Sequence, residues 1–193
     1  MYYGLCCYAS PTILILGDSL SAGYGLNKNA SWTYLLENKI RAANIDYNVI
    51  NASVSGATSA DGVNTLPKLL DKYKPQILIL ALGSNDGLQG TPAQQLKNNL
   101  AEIINKSQNA RAMVLLIGFK IPSNYGPIYT KSFAAVFPEL SKEFKIPLVP
   151  FLLAGFELDI NYFQKDKLHP TEAAQSIMLQ NVWPYLQPML DTN

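Results

Sequence analysis

Three polar residues in this sequence have the types and spacing to move an acyl group between them. Ser19 follows an uncharged run, Thr12 to Leu16, and the turn Gly17-Asp18, while Asp166 and His169 share one short segment near the other end of the chain. A hydroxyl is a weak nucleophile at its free pKa and needs an adjacent base. The base needs an orienting acceptor, and the tetrahedral intermediate needs hydrogen-bond donors for its oxyanion. In that scheme Ser19 attacks the acyl carbon, His169 takes the proton and hands it to the leaving group, and Asp166 fixes the imidazole tautomer. The backbone N–H groups of Ser19 and Gly56 and the side-chain amide of Asn85 are the candidate oxyanion donors, each just beyond the expected end of a strand.

The residue counts narrow the chemistry further. With His169 as the single histidine among 193 residues, a zinc site of the two- or three-histidine kind cannot be assembled, and any imidazole base must be this one residue. Cys6 and Cys7 are neighbours near the N-terminus and cannot staple the fold. A net charge of +1 with only scattered lysines leaves no electrostatic footprint for nucleic acid. No apolar run approaches the roughly 20 residues that span a bilayer. At 48% hydrophobic and 15% charged, the chain is expected to build one domain over residues 12–193. Residues 1–11, apolar and ending in small side chains, read either as a signal-peptide remnant or as a frayed N-terminus.

The elements that must position these residues alternate strand and helix. Continuous apolar runs at Thr12 to Leu16, Ile77 to Leu82 and Met113 to Ile117 predict buried parallel strands, with shorter ones at Tyr47 to Asn51 and Pro147 to Leu152. Between them, helices are predicted over Ala30 to Ala43, from Thr58 to Tyr73 with a break near Pro67, and over Pro92 to Lys106 with Thr91 as its cap. Two more are predicted over Tyr129 to Phe144, interrupted or bent near Pro138, and from a Thr171 cap onwards. Crossovers of this length require a parallel sheet covered by helices on both faces. In the flavodoxin-like order 2-1-3-4-5, the first and third strands are neighbours, so Ser19 and Asn85 would meet at the ligand crevice. Taken alone, Gly17-Asp18-Ser19 and Asn85-Asp86-Gly87 are ordinary turn signals; the order makes one site of them.

Gly17-Asp18-Ser19-Leu20, Gly56, Gly83-x-Asn85-Asp86 and Asp166-x-x-His169-Pro170, in that order, resemble the four blocks of the GDSL or SGNH hydrolase family. The resemblance spans the chain from Thr12 to the last helix. It implies a three-layer α/β/α domain with a central five-stranded parallel sheet and a Ser-His-Asp triad. It also implies hydrolysis of acyl thioesters, lysophospholipids and aryl esters, with no metal or cofactor. Carried over by position, Ser19 is the nucleophile, Gly56 and Asn85 complete the oxyanion hole, and Asp166 and His169 complete the triad. By the same analogy Asp86, Leu88, Ile121 and Pro122 would line the acyl channel. A periplasmic location is implied as well, although the export signal is incomplete in this chain; without export the enzyme would be cytoplasmic. A monomer acting on small-molecule substrates is expected. Two other readings use the same residues: a carbohydrate acetylesterase on the same fold, and a catalytically silent module that holds a lipid or glycan.

Overall fold

Uninterrupted Ile and Leu runs leave a strand with no face to offer water, so they pair side by side in the middle of the molecule. In the computed structural model, which describes residues 10–190, the strands are β1 (Thr12–Gly17), β2 (Asn48–Asn51), β3 (Ile77–Ala81), β4 (Met113–Ile117) and β5 (Leu148–Val149). The helices are α1 (Ser19–Ala22), α2 (Trp32–Ala42), α3 (Ser59–Tyr73), α4 (Ser84–Leu88), α5 (Ala93–Asn109), α6 (Pro127–Phe144) and α7 (Glu172–Leu190). The sheet order is β2-β1-β3-β4-β5 and every neighbouring pair is parallel, the expected doubly wound arrangement. Leu14 lies beside Leu78 and Leu78 beside Val114. Ile13, Leu14, Ile15 and all of β3 have no exposed surface.

The chain steps from β1 out to β2 and then reverses past β1 to β3, so right-handed crossovers place the helices on opposite faces. α2 and α7 pack together on one face, with α3, α5 and α6 in a row on the other. α5 shows why: Leu96, Leu100, Ile103 and Ile104 form one stripe at helical spacing, and all are fully buried. α3 opens with a capping box, in which Asp61 N–H donates to Thr58 Oγ1 at 3.3 Å and Thr58 N–H donates to the Asp61 carboxylate at 2.9 Å.

Several expectations are corrected. α3 and α6 run unbroken through Pro67 and Pro138; both prolines sit on exposed faces, where carbonyls freed from the helix ladder meet water. Thr91 does not cap α5; Pro92 occupies the cap position without a side-chain bond, and the helix continues to Asn109. Thr171 does not cap α7 either, because its Oγ1 is buried without a hydrogen-bond partner among the described residues. β5 is two residues long rather than six: beyond Val149 the ladder loses register, and Leu152 N–H rather than Phe151 N–H donates to the Gly118 carbonyl. The readings for Cys6, Cys7 and residues 1–9 lie outside the described residues. Among the described residues, no helix is long and apolar enough to cross a membrane.

Candidate active site

β1 ends at Gly17 and the chain turns at once into α1, with Asp18 as its N-cap and Ser19 as its first residue. The Asp18 carboxylate accepts from Leu20 N–H at 3.0 Å and from the hydroxyl of Ser84, the first residue of α4. That second bond ties the exit of β1 to the exit of its neighbour β3. Asp18 is fully buried, and desolvation raises its pKa to about 6 despite the bonds from Ser84 and Leu20, which draw it down. Gly83, between β3 and α4, has φ of +126°, a conformation closed to residues with a Cβ, which makes the abrupt strand-to-helix turn possible. Ser19, as the first residue of a helix, has a backbone N–H without an intrahelical partner.

His169 comes from a loop with little regular structure, held by one 3-10 turn over Ile160–Tyr162 and one isolated bridge between Phe163 and Pro170. Within it Asp166 organises its own partner. One carboxylate oxygen accepts from the N–H groups of Leu168 at 2.9 Å and His169 at 3.0 Å, and the other lies 2.7 Å from His169 Nδ1. The backbone bond from His169 is the largest cause, followed by the imidazole and Leu168 N–H, in lowering the Asp166 carboxyl to about 2. An ionised Asp166 can only accept, so Nδ1 carries the proton and Nε2 is left free to accept. Ser19 Oγ lies 3.0 Å from Nε2. The Tyr24 ring covers the imidazole at a centroid distance of 4.4 Å and an angle of 39°.

The remaining expected residues divide. Asn85 is the second residue of α4, beside Ser19 on the groove, and its amide donates to the Ala57 carbonyl at 2.9 Å, holding the loop that carries Gly56. Gly56 is exposed in a turn closed by Ala57 N–H to the Val54 carbonyl at 3.0 Å, outside the residues that line the groove. Leu88, Ile121 and Pro122 do line that groove, a cavity of about 510 Å³ whose apolar wall also includes Phe119, Phe151 and Leu153. Tyr125 Oη donates to the Leu88 carbonyl at 2.8 Å and fastens the Ile121 segment to α4.

Asp86 is a correction. It is 2% exposed and turned away from the groove, and its carboxylate accepts from the N–H of Ser59 at 2.8 Å and from the Ser59 hydroxyl, so it cannot line an acyl channel. A negative charge at the first N–H of α3 is favourable, and it pins the start of α3 to α4. Asp18, Ser84 and Tyr24 were not anticipated as parts of the site. The position of Asp18 directly after a buried strand was the one signal available for it; nothing local marks the other two.

A serine, an imidazole and a carboxylate in one hydrogen-bonded line, at the carboxyl edge of a doubly wound parallel sheet, have the form of a three-layer α/β hydrolase. The comparisons agree. The chain belongs to the GDSL-like lipase/acylhydrolase family, whose model matches residues 15–177; it is an ester hydrolase. It is 43% identical to Esterase TesA of Pseudomonas aeruginosa over 94% of this chain and 90% of that protein. It is 40% identical to the thioesterase 1/protease 1/lysophospholipase L1 of Escherichia coli K12, over 95% of this chain and 86% of that protein. The crystal structure of TesA superposes with a TM-score of 0.90 at 43% identity, covering 92% of this chain and 99% of that chain.

Proposed function

We propose that the protein is a serine hydrolase that cleaves fatty-acyl esters and thioesters, of the thioesterase, lysophospholipase and arylesterase type, through Ser19, His169 and Asp166. The observation that carries this reading is the unbroken line from Asp166 to Nδ1 at 2.7 Å and from Nε2 to Ser19 Oγ at 3.0 Å, opening onto a groove with an apolar wall. Ser19 Oγ attacks the acyl carbon while its proton passes to Nε2, and the carbonyl electrons move onto oxygen. The oxyanion receives the N–H groups of Ser19 and Gly56 and the Asn85 amide hydrogen not taken by Ala57. Collapse breaks the bond to the leaving oxygen or sulfur, which takes the proton from Nε2. A water then gives its proton to Nε2, attacks the acyl-serine, and Ser19 recovers its proton as the free acid leaves.

One chain supplies every group named, which supports a monomeric enzyme, and no step calls on a metal or cofactor. The names of the two relatives, an esterase and a thioesterase/lysophospholipase, support both ester and thioester substrates. A periplasmic location belongs to the same proposal, tested by fractionation of cells expressing the full chain. The functional test is hydrolysis of p-nitrophenyl esters from acetyl to palmitoyl and of acyl thioesters, by wild type and Ser19→Ala, with a chelator present. Expected is an optimum on medium or long chains and loss of turnover in the variant. A sharp optimum at acetyl would replace the fatty-acyl reading by an acetylesterase. Binding of lipid without turnover, unchanged in Ser19→Ala, would replace catalysis by a binding module.

A further inference from the structure

Ser19 and His169 are 150 residues apart in sequence, and the direct bond between them is one the proposed reaction must give up. In the acyl-enzyme, Ser19 Oγ is esterified and has no proton to share, yet Nε2 must stay in place to activate water. Some other contact has to hold the two segments in register during that half of the cycle.

The structure supplies cross-ties between the segment after Ser19 and the segment around His169. Gln164 Nε2 donates to the Tyr24 carbonyl at 2.8 Å and to the Pro170 carbonyl at 3.1 Å. Gln164 backbone N–H donates to the His169 carbonyl at 2.8 Å. The same Gln164 side chain fills the space beside Gly25: a Cβ there would stand 2.3 Å from Gln164 Oε1, and Gly25 has φ of +72°, so the chain passes the amide as bare backbone. Further out, the Glu172 carboxylate accepts from Asn27 N–H at 3.2 Å and from its side-chain amide at 2.5 Å, and Gln175 Oε1 accepts from buried Trp32 N–H at 2.9 Å. Gln164 is the innermost tie. It grips the backbone on both sides of the Ser–His contact, while the Tyr24 ring lies against the imidazole itself.

We propose that Gln164 and the Tyr24 ring are positioning residues that keep His169 aimed at the reacting atoms when the Ser19–His169 bond is absent. This rests on Ser19 and His169 acting as proposed above. Gln164 acts through two carbonyls and Tyr24 through a ring face, so neither touches the substrate's acyl carbon. Their loss shows in turnover and in the imidazole's mobility rather than in substrate affinity.

The test uses Gln164→Met, which keeps the side chain's length and loses its hydrogen bonds, with Tyr24→Leu as a second variant and Ser19→Ala alongside. Because the chain has one histidine, the downfield proton NMR signal of the imidazole Nδ1–H belongs to a single group. Expected for Gln164→Met is a roughly 10- to 100-fold lower kcat with KM within about two-fold, and a broadened Nδ1–H signal in a protein that unfolds cooperatively like wild type. For Tyr24→Leu, expected is a roughly 3- to 10-fold lower kcat at unchanged KM with the same broadening. Wild-type kcat and a sharp signal in a folded Gln164→Met would overturn the proposal. Should Gln164→Met not fold, a wild-type kcat and signal in Tyr24→Leu would overturn it equally. Turnover retained by Ser19→Ala would instead sink the serine mechanism, which separates failure of the one from failure of the other.

Discussion

The two halves of the site are built by different physics. The Ser19 side is an outgrowth of the sheet: β1 and β3 are buried neighbours in parallel register, and α1 and α4 start where those strands stop. Two buried carboxylates brace them: Asp18 on Ser84 ties the two exits together, and Asp86 on Ser59 ties α4 to the start of α3. The His169 side has almost no sheet beneath it. Its loop carries Leu158 at 97% exposed and Ile160 at 53%, and it is held by the hydrogen bonds of Asp166 and by Gln164. Ser19 is thus placed by apolar burial and His169 by polar contacts. A change to the core should lower stability first, and a change to the loop should lower turnover first.

The largest effect that this contrast predicts lies where the halves meet. Ser19→Ala and His169→Ala should each lower kcat by about 1,000-fold or more while the unfolding midpoint stays near wild type. Steady-state ester hydrolysis beside urea denaturation checks both parts. Next comes Asn85→Ala, expected to cost roughly 100- to 1,000-fold in kcat as one oxyanion donor is lost. A KM effect with kcat unchanged would remove Asn85 from that role.

The contrast also explains what could be read from sequence and what could not. β1, β3 and β4 announce themselves as apolar runs, and the α5 stripe as a 3.6-residue period, because burial imposes a pattern on many residues at once. α1 and α4 were read as turns, since helices of four and five residues are too short to show a period. The family analogy places Asp86 in the groove, and its Ser59 partner, 27 residues away, leaves no local mark to say otherwise. Gln164 and Tyr24, 140 residues apart, were invisible for the same reason. Ser19, Asp166 and His169 were legible because their chemistry restricts residue type, and His169 had no rival.

A purely core change should separate the two halves the other way. Leu100→Ala, at a fully buried α5 position, should destabilise by about 2 to 5 kcal/mol. The kcat of the folded fraction should be unchanged, checked by denaturation and by active-site-normalised assay.

A pH effect of similar or smaller size should appear in the nucleophile half. The folded-state pKa of Asp18, about 6, stands above its reference value of 3.8, so folding takes up a proton in that window. Its contribution to stability is fully present below the reference value and is lost as pH rises towards 6. The loss amounts to about 3 kcal/mol at most. Asp18→Asn, neutral throughout, should flatten this part of the urea-midpoint profile between pH 4 and 7. An unchanged slope would mean that Asp18 ionises as an ordinary carboxylate.

The most direct test of the serine mechanism is covalent capture. Incubation with a p-nitrophenyl alkylphosphonate, followed by intact-mass and peptide analysis, should give one adduct per chain on the peptide that carries Ser19. Adduct formation should stop in Ser19→Ala and slow by orders of magnitude in His169→Ala. A wild-type enzyme that hydrolyses esters yet takes no adduct, or takes it on another residue, would contradict the assignment of Ser19 as nucleophile.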